Sequence, residues 1–351
     1  MKRKMLWLTI SVVLIASMVL AACASAPATQ APASTEAAAQ QPAQMVTIRW
    51  RTRPDNQAEQ DVYQKISDQL SAQLESQGIK LQYDPAPVTG YEDKLKAEFS
   101  AGNAPDIVWI PGASTADYAN LGVILDLQPY VDKDSSFKLS DYYAAPIKEL
   151  QNGGHLWGLP RDISTLVIYY NKDLFKKYNV DDPAQLAAEG KWNWDNFKRV
   201  AEEITHESDK IYGFSMSNWW GTWGYFVYAA GGNLFNADRT ACGLTDPASI
   251  EGLQYMADLF LTDKVAPPPG IEGGVGETEW HAGSIGMFPN GRWMTPSDRE
   301  NDKFDWGVVE MPEGKVKSTF LFWGPYVVSA KTKYPDQAWT VIKALTSPEV
   351  Q

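Results

Sequence analysis

Three tryptophans lie close together in the middle of the sequence, in a setting that is unusual for a hydrophobic core. Trp219, Trp220 and Trp223 fall within residues 217–224, beside Asn218 and two glycines. Sugar rings present an apolar face and a belt of hydroxyl groups, so a pocket for them combines flat aromatic side chains with planar polar ones. The segment therefore indicates stacking against a polyhydroxylated ring, with packing in a core as the alternative. Trp223, which precedes an apolar run, fits the core better.

The segments that must position these residues alternate between strand and helix patterns. In residues 46–50 apolar side chains recur at every second position, and in residues 62–74 they recur at every fourth, up to Gly78. The apolar strand 106–110 completes a βαβαβ pattern, and a second cycle opens at residues 166–170. This order predicts two α/β units, each with a mostly parallel sheet covered by helices. In the second unit, Asn193 is predicted to cap a helix.

The N-terminus has the pattern of an export signal. Three basic side chains in the first four residues precede an apolar run over residues 5–20 and the small pair Ala21-Ala22. The run is shorter than the roughly 20 residues of a typical spanning helix, which favours a signal peptide, residues 1–22, over a retained anchor. Residues 20–23, Leu-Ala-Ala-Cys, resemble the bacterial lipobox. That resemblance implies diacylation of Cys23, cleavage before it, and tethering of the mature chain to a membrane surface.

A low-complexity stretch follows Cys23. From residue 24 to residue 44 the chain is almost wholly Ala, Pro, Ser, Thr and Gln, and Glu36 is its only charge. Such a stretch cannot bury enough apolar surface to offset its ordering entropy. Residues 23–44 are therefore predicted to be a lipidated, disordered linker to a folded body that starts at Met45, since three prolines argue against an Ala-rich helix.

Charge and cysteine content disfavour several classes of function. The chain has 31 basic and 43 acidic residues, and removal of residues 1–22 takes its net charge from -12 to -15, which disfavours nucleic acid as a partner. Cys23 and Cys242 are the only cysteines, so no disulfide framework is expected, and Cys242 is interpreted as a buried inert thiol in preference to a reactive one. The three histidines have no metal-ligand spacing and no phosphate-binding glycine loop occurs, so no metal or cofactor is predicted.

Four segments together resemble the extracellular solute-binding proteins of family 1, the family of maltose-binding protein. They are Gly-Asn-Ala-Pro-Asp-Ile-Val at 102–108, Gly-Leu-Pro at 158–160 running into Tyr-Tyr-Asn-Lys-Asp-Leu-Phe at 169–175, Gly-Met-Phe-Pro-Asn-Gly-Arg-Trp at 286–293, and the stretch 338–349 from Ala-Trp to Ser-Pro-Glu. Each segment is weak alone, but their order and separation behind a lipobox make the set specific. The likeness covers residues 45–351.

The resemblance implies a periplasmic-binding-protein-like fold of class II. In this fold two α/β lobes, each a mostly parallel sheet flanked by helices, hinge shut on a ligand in the cleft between them. We expect an N-terminal lobe at residues 45–161, a C-terminal lobe at 162–319, and a return to the first lobe at 320–351. The implied function is that of the substrate-binding lipoprotein of an ABC importer, which captures a sugar or oligosaccharide and delivers it to permease subunits. We expect a monomer that is lipid-anchored outside the cytoplasm and is not an enzyme.

The resemblance also assigns candidate ligand contacts in the second lobe. Trp219, Trp220 and Trp293 fall on ring-stacking positions, with packing in the lobe core as the alternative. Asn218 falls on a polar contact position, and Asn290 and Arg292 are further hydrogen-bonding candidates of this lobe that the resemblance does not assign.

Further candidates come from the crossings between lobes and from the first lobe. Arg161 and Asp162 follow the motif at 158–160, where the cleft floor is expected. Asp accepts from two hydroxyls and Arg donates in a fixed fork, although an interlobe or surface ion pair is an equal alternative. Trp323 lies beside Gly-Pro at the second crossing, and Arg53 follows the first strand, where loops line the cleft.

The sequence stops at Gln351, just after a pattern that begins helices. Ser347-Pro348-Glu349 has the cap, the first-turn proline and the acidic residue of a helix start. We expect the natural gene to continue with further helices, and a naturally short form is the alternative.

Two other functions stay open on the residues alone. Acidic charge and abundant tryptophan also suit a carbohydrate-active enzyme, for which the available carboxylates are Glu277, Glu279, Asp298 and Glu300. The same fold could bind a polyamine, a ferric ion, glycerol phosphate or a peptide. A phosphate would need several converging basic groups and a polyamine would need paired carboxylates between aromatic walls. The mixture of Trp, Arg, Asp and amides therefore favours a neutral polyhydroxylated ligand.

Overall fold

The computed structural model describes residues 45–87, 89–268 and 276–351. The predicted signal peptide, the predicted lipidation site Cys23 and the predicted linker, all within residues 1–44, lie outside the described residues. Within the ranges that the structure describes, no helix is long and apolar enough to cross a membrane.

Strands and helices alternate along most of the described chain. The strands are β1 Val46–Arg51, β2 Ile79–Tyr83, β3 Ile107–Trp109, β4 Gln151–Asn152, β5 His155–Leu156, β6 Leu159–Thr165, β7 Val167–Asn171, β8 Tyr212–Phe214, β9 Ile285–Asn290, β10 Trp306–Glu310 and β11 Leu321–Val328. The α-helices are α1 Gln57–Leu74, α2 Tyr91–Ala101, α3 Thr115–Asn120, α4 Gln128–Lys133, α5 Ala144–Leu150, α6 Lys172–Tyr178, α7 Pro183–Ala188, α8 Trp194–Ile204, α9 Trp220–Ala229, α10 Pro247–Leu261, α11 Glu277–His281, α12 Thr295–Glu300 and α13 Pro335–Leu345.

The strands form two main sheets, and each sheet is the centre of one lobe. The first lobe has the order β2-β1-β3-β11-β6 and the second has the order β10-β7-β9-β8. In the first sheet β11 runs antiparallel to both neighbours, and in the second β7 does so, while the other strands of each sheet share one direction. The predicted two-lobed α/β fold with mostly parallel sheets is therefore confirmed.

The reversed strand of each sheet is the one that enters from the other lobe. β6 belongs to the first sheet and β7, which starts two residues after it, belongs to the second. β11 brings the chain back, and it pairs with β6 from Leu321 opposite Thr165 to Tyr326 opposite Leu159. The chain thus changes sheet at residue 166, four residues after the expected lobe boundary, and the β6–β11 pair lies where the lobes connect.

Local sequence signals explain where several helices begin and end. The side chain of Asn56 caps α1 by accepting a hydrogen bond from Glu59 N at 3.0 Å. Asn193 caps α8 in the same way, by accepting from Asn196 N at 3.1 Å, as predicted. Gly78 follows α1 after one 3₁₀ turn with a φ of 72°, a left-handed conformation that glycine adopts at little cost.

Each lobe has its own hydrophobic core. The core of the first lobe includes Ile48, Trp50, Leu95, Ile107, Val108, Val327, Val341 and Ile342. The core of the second includes Ile168, Phe197, Val200, Phe214, Tyr225, Phe226 and Met287, and Trp223 packs against it, as expected. Because the cores are separate, each lobe can be stabilised by burial of its own apolar face, without a shared interior.

One prediction about burial is wrong, and one helix is less buried than its apolar period suggests. Val62 falls on the four-residue apolar period of α1, but its side chain is 50% exposed and lines the space between the lobes. The stripe is buried only toward the C-terminal end of the helix, at Leu70 and Leu74. Cys242, interpreted as a buried thiol, is exposed.

Candidate functional site

A cleft of about 1970 Å³ lies between the two sheets. The loops that follow β1, β3, β8 and β9 line it, together with the beginning of β11. In open α/β sheets, ligands bind at the carboxyl ends of the strands, and a reversed strand presents its amino end there. The cleft therefore has the position expected of a ligand site in this fold.

Five aromatic side chains form a cluster on the second-lobe side, which we call the aromatic wall. They are Trp219, Trp220, Trp293, Phe320 and Phe322. The Phe322 ring lies centrally, with its centroid 4.5 Å from that of Trp219, 5.8 Å from Trp220 and 5.6 Å from Trp293. All except Phe320 line the cleft. The wall offers several apolar ring surfaces to a guest in the cleft.

The turn before α9 fixes the first of these indoles. Trp219 is the residue that precedes the helix, and its backbone oxygen accepts a hydrogen bond of 2.7 Å from Thr222 Oγ1. The same hydroxyl lies 2.7 Å from the backbone oxygen of Ser217. These bonds hold the two backbone oxygens on one side of the turn. The side chain of the neighbouring Asn218 is exposed, and Asn218 is not among the residues that line the cleft. The expected position of Asn218 among the ligand contacts is therefore not supported by the geometry.

Trp323 faces the cleft from the first-lobe side. Its side chain is partly buried against the first core, and its ring lies on the backbone of Gly112 in the loop after β3. Adjacent residues of an extended strand point to opposite sides. Phe322 thus joins the aromatic wall, while Trp323 belongs to the other lobe.

Arg161 supports the polar floor of the cleft. Its guanidinium donates to Thr52 Oγ1 at 2.6 Å and, through Nε, to Asp162 Oδ2 at 3.0 Å. It also lies over the Trp109 ring, 4.8 Å from the centroid. The Arg161 side chain is only 16% exposed, whereas that of Asp162 is 49% exposed. Asp162 is therefore the member of the pair whose carboxylate is open to a ligand.

Electrostatics agree with this division of roles. Burial alone would lower the pKa of Arg161, but the neighbouring Asp162 carboxylate outweighs burial and holds the pKa above its ordinary value. Arg161 is thus a permanent cation that orients Asp162. These two residues form the ion pair that was the alternative interpretation, and both also line the cleft, while their contact with a ligand stays a prediction.

Arg53 contacts the same indole from the first lobe. Its guanidinium lies 5.1 Å from the Trp109 ring centroid, and its Nη2 is 2.9 Å from Asp55 Oδ1. Glu59 also lines the cleft, and burial raises the pKa of its carboxyl group. Sequence reasoning missed Trp109 and Glu59. The position of Trp109 at the end of β3 is the signal that could have identified it.

The turn after β9 carries the remaining candidates. Asn290 lines the cleft, but its side-chain amide already bonds within the turn. Its Nδ2 donates to Met294 Sδ at 2.8 Å, and its Oδ1 accepts from Gly291 N at 2.9 Å. The Arg292 side chain is exposed at the cleft, and its backbone N donates to Ser164 Oγ on β6 at 2.9 Å. Asn290 therefore shapes the turn, while the Arg292 guanidinium is free to reach a ligand.

Charges in the cleft balance. Among the described residues, the basic side chains that line it are Arg53, Lys148, Arg161, Arg239, Arg292 and Arg299, and the acidic ones are Asp55, Glu59, Glu92, Glu149, Asp162 and Glu277. Six of each sign give no formal net charge, although the chain as a whole is acidic. The part of the chain that the structure describes holds no group of three or more His, Cys, Asp or Glu side chains that could bind a metal ion.

Two α/β lobes around a cleft, connected by strands that pass from one sheet to the other, define the class of two-lobed binding proteins. The chain belongs to the family described as bacterial extracellular solute-binding protein, whose model matches residues 54–351. The family resemblance inferred from the four motifs is thus confirmed.

Individual relatives are distant in sequence and close in fold. A galactooligosaccharide-binding protein of Bacillus subtilis is 25% identical over 284 residues, which cover 78% of this chain and 63% of the relative. A maltooligosaccharide ABC transporter solute-binding lipoprotein of Streptococcus pneumoniae is 23% identical over 304 residues, covering 82% and 66%. The structure of an ABC substrate-binding protein from Listeria monocytogenes in complex with cycloalternan has a TM-score of 0.77 and 24% identity, covering 87% of this chain and 76% of that one. The chain thus spans about two thirds of the length of the curated relatives it matches.

Proposed function

We propose that this chain is the substrate-binding lipoprotein of an ABC importer and that it captures an oligosaccharide by lobe closure. The observation that carries the proposal is the cleft itself, where the aromatic wall and Trp323 come from opposite lobes. Ring faces on both sides and a polar floor between them match the two surfaces of a sugar.

The balanced charge of the cleft supports a neutral ligand. Phosphate would favour a surplus of basic groups and a polyamine a surplus of acidic ones, and neither surplus exists among the described lining residues. Arg161 and Arg53 are each paired with an aspartate, so their charge is largely offset. Relatives whose names include galactooligosaccharide and maltooligosaccharide binding agree with this chemistry.

The size of the cleft supports a ligand of several rings. A typical pocket for a drug-sized molecule has a volume of about 300–1,000 Å³, and this cleft holds about 1970 Å³. A monosaccharide would leave most of the aromatic surface in water. We therefore infer a linear or cyclic oligosaccharide as the substrate.

The cleft supports binding over hydrolysis. Of the four carboxylates named for the enzyme alternative, only Glu277 lines the cleft. Asp298 is buried and accepts hydrogen bonds from Trp280 Nε1 at 2.8 Å and His281 Nε2 at 3.1 Å, and the carboxylate of Glu279 accepts from the Gly276 backbone. We infer that the protein binds its ligand unchanged, and release of reducing sugar from a bound oligosaccharide would contradict this.

Lobe closure would allow the permease subunits to distinguish the ligand-bound protein from the free one. A ligand that first contacts one lobe favours the closed state by the contacts it gains with the other. The β6–β11 pair is the segment that would bend, and the closed form is what permease subunits would recognise. Acylation of Cys23 would keep the protein at the outer face of a bacterial membrane.

Thermal denaturation in the presence of an oligosaccharide panel tests the proposal. We expect one class of neutral oligosaccharide to raise the melting temperature, and Trp219→Ala or Trp220→Ala to weaken its binding at least about tenfold, because stacking surface is lost. Tyr143→Ala is the control, since Tyr143 is 77% exposed and does not line the cleft. Unchanged affinity in both tryptophan variants would refute the assignment of the aromatic wall.

A further inference from the structure

One ion pair joins the two lobes at the rim of the cleft. Arg239 Nη1 lies 3.2 Å from Glu149 Oε2, and Arg239 Nη2 lies 3.3 Å from Glu149 Oε1, so the contact is bidentate. Glu149 belongs to α5, which packs on the first core through Leu150, whereas Arg239 follows α9 of the second lobe. Both side chains line the cleft.

The backbone presents Arg239 on a fixed hairpin tip. Phe235 and Cys242 form an antiparallel bridge, and Asn236 N donates to Ala241 O at 3.0 Å. Arg239 N donates to Asn236 O at 2.9 Å, and the Asn236 side chain accepts from Thr240 N at 2.8 Å. The tip therefore holds the base of the Arg239 side chain in place at the rim.

The conformation of Arg239 is itself unusual for its residue type. Its φ is 56°, in the left-handed region that glycine occupies with less strain than any residue with a Cβ. A glycine would relieve this strain but would remove the guanidinium. Backbone strain of this kind is a reason to look for a function of the side chain.

We propose that Glu149 and Arg239 form a latch that favours lobe closure and slows the release of ligand. The pair can form only when the hairpin tip lies next to α5, so its whole contribution favours the closed state. The side chain of Arg239 is 72% exposed and that of Glu149 is 46% exposed, so the contribution is small and salt weakens it. A pair of this strength changes the ratio of closed to open molecules by up to about fivefold.

Only the part of this proposal that concerns ligand release rests on the proposed function. The effect of the latch on the lobes is measurable without ligand, in the full-length mature protein with Cys23→Ser. Spin labels on Cys242, which is exposed on the hairpin, and on Tyr143→Cys, just before α5, report the distance between the lobes by pulsed electron resonance. If no oligosaccharide binds, this measurement still decides whether the latch exists.

Three variants test the latch, with the parent protein as reference. In the parent we expect the short-distance population to fall as sodium chloride rises from about 0.02 M to about 0.5 M, since the pair is exposed. Arg239→Gly and Glu149→Gln should shift the population to longer distances already at low salt. The double exchange of Glu149→Arg with Arg239→Glu should restore the short distances. Unchanged distances in Arg239→Gly would overturn the proposal.

Ligand release and stability complete the test. Arg239→Gly should release an oligosaccharide two- to fivefold faster, yet unfold at the same or a higher temperature than the parent, because the left-handed strain is relieved. A different result would also overturn the latch: Arg239→Gly releases the ligand faster, the charge exchange does not return release to the parent rate, and the distances without ligand stay unchanged. That result would mean that Arg239 contacts the ligand directly.

Discussion

The ring of Trp323 lies so close to the backbone of Gly112 that a side chain at position 112 would collide with it. A Cβ placed on Gly112 would be 2.9 Å from Cε2 of the indole and 3.0 Å from Cδ2 and Cζ2. Gly291 supports Trp293 in the same way, with ring atoms at 2.1–2.5 Å from a Cβ, and Gly221 supports Trp219 at 2.7–2.8 Å. Three tryptophans of the cleft are thus positioned by glycines that are needed for close approach.

Replacement of Gly112 by alanine should move Trp323 and weaken ligand binding. Trp323 is only partly buried, so we expect its ring to rotate into the cleft while the fold persists. The affinity for an oligosaccharide should fall about tenfold, because a displaced ring no longer stacks. Isothermal titration calorimetry on Gly112→Ala measures this change directly.

Gly190→Ala is the matched control for that substitution. Gly190 has a φ of 68°, and a Cβ there would meet no atom within 4 Å, so the cost is backbone strain without a collision. It lies after α7, away from the cleft. We expect a lower melting temperature with unchanged affinity, the opposite pattern to Gly112→Ala, and equal effects of both variants on affinity would contradict the role of Gly112.

Arg161 and Asp162 should respond differently to substitution. Lysine at position 161 cannot bond Thr52 and Asp162 in the geometry of the guanidinium fork. Arg161→Lys should therefore lower the free energy of unfolding by about 1.5–3 kcal/mol, the range for a lost hydrogen bond to a charged group, and should also reduce affinity. Asp162→Asn should reduce affinity and lower stability by less than Arg161→Lys, because that side chain is half exposed and the amide oxygen of asparagine can still accept a hydrogen bond from Arg161. Urea denaturation combined with titration of ligand separates the two, and equal losses of stability would contradict the division into support and contact.

Much of this site could be predicted because its residues carry local signals. Trp219, Trp220, Trp293 and Trp323 each lie within two residues of a glycine, in segments whose sequence is typical of loops or bends. Phe322 was missed because it looks like an ordinary strand residue. Its role depends on β11 starting between the lobes, which no local pattern reveals.

Other features depend on contacts between distant parts of the chain. Asn218 was predicted to be a ligand contact because it adjoins Trp219, but the turn before α9 leaves it outside the cleft. Glu149 and Arg239 are 90 residues apart and meet only because the two lobes face each other. The four-residue spacing of apolar side chains in α1 fits the burial of Leu70. It does not show that the N-terminal end of the helix borders the cleft.

Asp134 should make the first lobe sensitive to acid. It follows α4 and bonds to Lys343 Nζ and to Trp339 Nε1 of α13, the latter at 3.1 Å. The hydrogen bond from Lys343, followed by that from Ser136, holds the pKa of the Asp134 carboxyl far below its ordinary value of 3.8. Since the unfolded chain takes up the proton first, the stabilisation is complete above about pH 4 and is lost as the pH falls through the folded-state pKa.

Asp134→Asn isolates that contribution. The variant should be less stable than the parent at pH 7, and the difference in melting temperature should shrink as the pH is lowered from 5 to 2. Thermal unfolding followed by circular dichroism across this range gives the difference at each pH. A difference that stays constant would show that the ion pair with Lys343 does not supply the stabilisation.

Phe322 should hold the aromatic wall together. It contacts three indoles, so Phe322→Leu keeps much of the apolar volume but loses the ring contacts, each worth about 0.5–1.5 kcal/mol beyond buried area. We expect a lower free energy of unfolding and an affinity reduced about three- to tenfold, because Trp219 and Trp293 lose the surface that fixes their rings. Phe260→Leu makes the same change against Phe214, outside the cleft, and should reduce stability alone. If the two variants lowered stability equally and neither changed affinity, Phe322 would be a packing residue and the tryptophans would keep their positions without it.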